Sequence, residues 1–198
     1  MESKPVKHPI LVVDDEPEIL FSLRGLLRHE FEVHTASSGP EAIVALEKHP
    51  IHIVMSDQRM PEMTGVEFLR RVKIDHPEAI RVIFTGYADI HAVIDAINKG
   101  NVFRYVTKPW DPDDLFAVLR EAARQYDHIV GRNRLLADLN QYAVRCDSFE
   151  AGMRAGELGS LTPAGAVEVE GLLRTGRELL DRLDKAFAVM KPREQGKG

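Results

Sequence analysis

Between residues 10 and 127 the chain alternates five strand-like runs with five helix-like ones, and that alternation limits the fold more than any other feature of the sequence. The runs Ile10 to Val13, Glu32 to Thr35, Ile51 to Ser56, Arg81 to Phe84 and Val102 to Val106 read as strands. Between and after them, Pro17 to His29, Gly39 to Lys48, Val66 to Asp75, Asp89 to Lys99 and the stretch from Pro112 onward carry helical periodicity, as in Ile19, Leu20, Leu23, Leu26 and Leu27. Strands that alternate with helices predict an α/β domain, a doubly wound five-stranded parallel sheet in (βα)5 order. No GxGxxG or GxxxxGK[ST] follows any strand, so neither a dinucleotide site nor a P-loop is indicated.

The ends of the predicted strands are where such a fold places its chemistry. Asp14 and Asp15 follow the first strand, Asp57 the third and Thr85 the fourth, and Lys108 with Pro109 comes just after the fifth. A parallel sheet would gather three carboxylates, one ammonium and one hydroxyl on one edge. Carboxylates that close repel one another unless a cation lies between them, and oxygen-only ligands favour a hard ion such as Mg²⁺. Each residue also has an ordinary explanation taken singly. Asp14 and Asp15 ahead of Glu16 and Pro17 could be helix caps, and Thr85-Gly86 and Lys108-Pro109 could be loop punctuation. Five residue types in this order at successive strand ends favour the functional reading.

This set resembles the response-regulator receiver family, the CheY-like phosphoacceptor domains of two-component signalling, over about residues 8 to 127. The resemblance implies a flavodoxin-like fold with Asp57 as phosphoacceptor, Lys108 as the charged partner, Thr85 as switch hydroxyl and Tyr105 as switch aromatic. It also implies that Asp15, Asp57 and the Arg59 backbone carbonyl ligate Mg²⁺ directly, with Asp14 acting mainly through an intervening water. The loop Asp57 to Gly65 is similar to the one that follows the phosphorylated residue in this family, its proline and glycine making a turn into the next helix. The expected partner is a sensor histidine kinase or a phosphotransfer protein. Such a domain assists its own phosphorylation and autodephosphorylation and is otherwise not an enzyme. Arg59 and Tyr87 occupy positions that tune loss of the phosphoryl group, and neither offers a carboxylate or amide to orient water. Gly86 and Asn101 replace residues that are often alanine, which leaves the output class open.

Residues 128 to 198 read as a helical extension, a coiled coil or an α-helical hairpin ending in a frayed tail from Pro192. Leu115, Leu119, Ala122, Tyr126 and Ile129 form one stripe, and Leu135, Leu139, Tyr142, Cys146, Phe149 and Met153 form a second on a shifted face, with Gly131 between them as a candidate bend. Gly156 to Pro163 forms a loop. Ala166, Val169, Leu173, Gly176, Leu180, Leu183, Phe187 and Met190 then repeat at 4,3 spacing. The stripes suggest a homodimer formed through the extension, with packing on the chain itself as the alternative.

Charge and targeting signals narrow the class further. The net charge of −5 lies in residues 1 to 126, which hold 20 acidic and 15 basic side chains, whereas residues 127 to 198 hold 11 of each. A neutral extension argues against a nucleic-acid output, which would show a basic face. The single cysteine, Cys146, rules out an intramolecular disulfide framework. No stretch reaches the length of a membrane span and Met1 to Pro5 lacks the apolar region of a signal peptide, so the expected compartment is the cytoplasm, with no membrane partner. The eight histidines show no HxxxH or HExxH spacing and read as surface residues; the residues after His128 do not resemble a kinase dimerisation motif. Two other outputs stay open: the front part of a larger signalling enzyme, and a nucleic-acid-binding regulator.

Overall fold

The structure, a computed structural model, describes residues 7–86, 90–154 and 163–190. Tyr87, the Asp89 helix start, the loop from Gly156 and the tail from Pro192 lie outside the described residues, as do the side chains of Met153, Ala166, Phe187 and Met190. Two compact units divide the chain, Met1–Ile129 and Val130–Gly198.

The first unit is a five-stranded parallel sheet: β1 His8–Val13, β2 Phe31–Ala36, β3 Ile53–Asp57, β4 Ile80–Thr85 and β5 Arg104–Thr107, in the order β2-β1-β3-β4-β5. Helices α1 Pro17–Leu27, α2 Gly39–Lys48, α3 Gly65–Asp75, α4 Ile90–Asn98 and α5 Pro112–Arg154 follow the strands in turn. Both faces of the sheet are covered, and successive strand residues alternate between two cores. Ile10, Val12, Ile53, Met55, Val82 and Phe84 point to the side packed by Leu23 and Leu27 of α1 and Leu115, Leu119 and Ala122 of α5. Leu11, Val13, Val54 and Ile83 point to the other side, against Leu46 of α2 and Phe68, Leu69 and Val72 of α3. This is the flavodoxin-like receiver fold. Its third strand starts two residues later than the sequence pattern implies: Ile51 N–H turns back to His49 O, while His52 already bonds to Pro9 of β1 and Ile80 of β4.

Local signals launch the helices that flank the site. Thr64 and Glu67 form a capping box at the start of α3, each side chain accepting from the other's backbone N–H. Ser38 caps α2, and Pro17 stands at the first turn of α1, where its missing N–H costs nothing.

The second unit comprises the end of α5 and α6, Pro163–Met190. Asp138 pairs with Arg182 at 2.6 Å, and Tyr142 stands against Gly176, so the residue numbers run in opposite senses and the two segments form an antiparallel hairpin. Gly176 gives Tyr142 its room: a Cβ there would lie 2.6 Å from the tyrosine hydroxyl oxygen. The α5 stripe lies on the seam as expected, with Leu135 buried and Leu139, Tyr142, Cys146 and Phe149 half-buried. The α6 stripe meets α5 only in part, through Gly176. Leu172 and Leu179 are covered, while Leu173 and Leu180, one position on, are 59% and 63% exposed. The helix crosses Gly131 without a break. A correction concerns the histidines: His8, His34, His52 and His76 are half-buried and not surface residues, and the first three make ring contacts.

Candidate functional site

Sheet register brings the predicted residues together. Val13 pairs with Ser56, so Asp14 and Asp57 are the next residues on adjacent strands; Thr85 pairs with Thr107, so Lys108 emerges beside them. The strand order reverses between β1 and β3, and the crevice outside the carboxyl ends of the strands at such a point is the usual ligand site of open α/β sheets.

Asp14 is fully buried, Asp57 is 6% exposed and Thr85 is buried. The Lys108 ammonium donates to Asp57 Oδ1 at 2.6 Å and to Asp14 Oδ2 at 3.0 Å. The remaining carboxylate oxygens are held by backbone donors, Asp14 Oδ1 by Glu16 N–H at 2.8 Å and Asp57 Oδ2 by Arg59 N–H at 2.6 Å. Phe84 supports the lysine from below, its ring centroid 4.6 Å from Nζ, and Trp110 meets Phe84 edge-on at 6.0 Å. The Lys108 backbone N–H donates to Thr85 O at 2.8 Å, and the following Lys108-Pro109 bond is cis.

Burial sets the electrostatics. It raises the Asp14 pKa above the ordinary carboxylate value, with the Glu16 and Lys108 hydrogen bonds working against it and the Asp57 charge adding to it. Burial alone would lower Lys108; hydrogen bonds and charge from Asp57 and Asp14 outweigh that and raise its pKa, so the ammonium keeps its proton. One cation thus compensates two buried carboxylates, a net deficit of positive charge that suits a hard divalent ion with oxygen ligands. Asp15 is exposed, and among the described residues no three His, Cys, Asp or Glu groups stand in a metal-holding arrangement. The oxygen donors are of the type Mg²⁺ takes, while two of the three carboxylates are engaged by the lysine.

The two residues expected to switch lie on β4 and β5. Thr85 Oγ1 donates to its neighbour Gly86 O at 3.1 Å, and Tyr105 is 39% exposed.

Two contributors were not legible in the sequence, and a third, Gly65, was read there as a turn residue. Gln58 is buried: its N–H donates to Phe84 O and its Oε1 accepts from Val66 N–H, tying the loop after Asp57 to β4 and α3. Glu62 takes a positive φ of 70° in the turn closed by Met63 N–H to Pro61 O at 2.8 Å. Gly65 is required by close approach and not by turn geometry, since a Cβ would lie 2.0 Å from the Asp57 carbonyl oxygen. Only the last carried a signal, a glycine at a helix start where a better helix former would serve.

The response regulator receiver domain family model matches residues 10–120. The chain belongs to this family. Its receiver is 42% identical over 113 residues to the hydrogenase transcriptional regulatory protein HoxA of Cupriavidus necator, covering 57% of this chain and 23% of that one. The transcriptional regulatory protein KdpE of Mycobacterium tuberculosis is 33% identical over 190 residues, 92% of this chain and 80% of that one. Among solved structures, a protein described as adenylate cyclase from Rhodopirellula baltica matches with a TM-score of 0.65 at 34% identity, over 67% of this chain and 98% of that one. A response regulator receiver domain protein from Clostridium thermocellum matches with a TM-score of 0.57 at 33% identity, over 65% and 98%. The chain spans about a quarter of the length of its HoxA relatives.

Proposed function

We propose that the receiver accepts a phosphoryl group on Asp57 from the phosphohistidine of a sensor histidine kinase or phosphotransfer protein, in the cytoplasm. The P–N bond of the donor breaks as an Asp57 carboxylate oxygen bonds to phosphorus. The observation that carries this reading is the Lys108 ammonium 2.6 Å from Asp57 and 3.0 Å from Asp14 at the carboxyl edge of the sheet. Lys108 supplies positive charge where phosphoryl oxygens would gather it, and Arg59 N–H orients the carboxylate, so catalysis is positioning plus electrostatics. Asp14, Asp15, Asp57 and the Arg59 carbonyl would hold Mg²⁺, which when bound offsets the charge of the phosphoryl oxygens.

Phosphorylation adds roughly −1.5 to −2 charge and new acceptor oxygens. Thr85 would exchange its bond to Gly86 O for a phosphoryl oxygen, and Tyr105 would turn inward from its exposed position. These residues border β5, whose chain leads into α5 and the extension, so the readout is a change in how the extension dimerises or docks on a protein. Residues 1–127 and 128–198 divide the work in this way, as phosphoacceptor and effector.

A second reading follows from the relatives. HoxA and KdpE are transcriptional regulators by name, so the receiver could serve a longer nucleic-acid-binding regulator or signalling enzyme. The charge-neutral extension favours protein contact. Acetyl phosphate with Mg²⁺ should add one phosphoryl group, lost with EDTA and in Asp57→Asn; labelling that persists in Asp57→Asn refutes the assignment.

A further inference from the structure

At the edge of the sheet opposite Asp57, two histidine rings meet. His8 opens β1 and His52 immediately precedes β3, and their Nδ1 atoms lie 3.0 Å apart with the ring planes at 71°. The backbone holds both: His52 N–H donates to Pro9 O at 3.0 Å, and Ile80 N–H donates to His52 O at 2.8 Å. The side chains reach across to α5. His52 stacks on Tyr126, centroids 3.8 Å apart at 15°, His8 meets the same ring edge-on, and His8 Nε2 stands 3.6 Å from Asp127 Oδ2. Tyr126 and Asp127 are the last turn of α5 before the second compact unit begins at Val130.

A nitrogen-to-nitrogen contact of 3.0 Å needs one hydrogen between the two atoms, so one Nδ1 donates and the other accepts. The pair meets that condition with no net charge or with one. With one charge, placing it on His8 lets Nδ1–H donate to His52 while Nε2–H faces Asp127. A second proton leaves no lone pair between the rings and sets two cations against each other.

We propose that His8 and His52 form a proton-sensitive latch that holds the Tyr126 turn of α5 on the sheet, closed while at least one ring is neutral and opened when both are protonated. The groups facing His52 are His8 from β1, Glu32 from β2, and Tyr126 and Asp127 from α5. Burial, and then the His8 charge, lower the His52 pKa from its ordinary 6.5, with Asp127 and Glu32 opposing. A ring whose pKa falls on folding contributes stability that is intact above the unfolded value and is lost as pH drops below it. Mild acidification therefore loosens the Tyr126 turn first. This device acts on α5 independently of what Asp57 does.

The full chain is suited to hydrogen exchange by mass spectrometry, with nitrogen-15 histidine spectra recorded alongside. Going from about pH 7.5 to about pH 5.5, peptides around residues 119–132 should exchange about threefold faster or more after correction for intrinsic rates, while peptides in β3 hold. His52 should take its proton at a lower pH than free histidine, over the same range in which the exchange rises. His52→Gln should remove the pH response, and His8→Gln should do the same, giving a second arm if one variant folds poorly by near-ultraviolet circular dichroism. His76→Gln, at the C-terminal end of α3 on the other face of the sheet, should leave it intact. A pH-independent Tyr126 turn, or a response that survives both His8→Gln and His52→Gln, overturns the proposal; a response lost in His76→Gln assigns it elsewhere and overturns it too.

Discussion

The receiver and the extension are both built from amphipathic segments, yet they bury them differently. In the receiver, Ile10, Leu11, Val12 and Val13 are all inaccessible, because a central strand of a sheet covered on both sides leaves these positions no face toward water. In the extension, Leu172 and Leu179 are covered while Leu173 and Leu180 are exposed. One helix packed on one neighbour covers a single arc, and the apolar arc of α6 is wider than that. A sheet thus converts hydrophobic residues into core almost without remainder, whereas a hairpin leaves apolar surface for another use.

The sharpest contrast can be drawn between two glycines. A Cβ on Gly65 would meet the Asp57 carbonyl oxygen at 2.0 Å, and one on Gly131 would meet nothing within 4 Å. Gly65→Ala should destabilise the receiver by about 3 kcal/mol, the upper range for overpacking, and should cut acetyl phosphate labelling because the clash bears on the residue being labelled. Gly131→Ala, in the exposed interior of α5, should stabilise by about 1 kcal/mol. Urea denaturation measures both. Equal effects of the same sign would erase the difference between the two regions.

The same contrast explains what could be read in advance. The five strands and the site were legible because strand periodicity and strand-end position are local, and parallel pairing then sets every neighbour: Asp14 beside Asp57 follows from Val13 opposite Ser56. Gln58 and Phe84 were not legible as site residues, since their roles depend on which backbone groups and which ammonium lie across the loop. In the extension, 4,3 spacing identified α6 but not the side of its arc that the partner covers; Leu172 and Leu173 are equivalent in sequence and opposite in exposure. The histidines carried no spacing signal because His8, His52 and Tyr126 come from three distant segments.

The exposed α6 stripe makes the next test. If a second copy of the chain covers it, Leu180→Asp with Leu183→Asp should turn a dimer into a monomer that keeps its helix content and its Asp57 labelling. Light scattering across a concentration series reads the mass. A parent chain that is monomeric with and without phosphorylation rejects the dimer and leaves the stripe to another partner.

Asp14 gives a smaller effect of defined sign. Its pKa is raised on folding, so the ionised form costs stability at neutral pH, and that cost disappears as pH falls toward the ordinary carboxylate value and the group takes its proton. Asp14→Asn should therefore raise the denaturation midpoint near neutrality and match the parent in acid, while impairing Mg²⁺-dependent labelling. A lowered midpoint near neutrality would show that the Lys108 contact outweighs desolvation.

Arg59 should change only a rate. Its N–H binds Asp57 Oδ2 whatever its side chain is, so substitution there leaves the carboxylate held. The side chain occupies the second position after the phosphoacceptor, where a group able to orient a water would speed hydrolysis of the acyl phosphate. Arginine carries no acceptor for that water, which predicts slow autodephosphorylation in the parent. Arg59→Asn introduces a carbonyl acceptor and an amide donor at the same point, and should accelerate phosphate release by about tenfold at most. Release of inorganic phosphate after removal of acetyl phosphate follows both proteins. A parent half-life of seconds, or an Arg59→Asn rate equal to that of the parent, would show that hydrolysis is set elsewhere in the receiver.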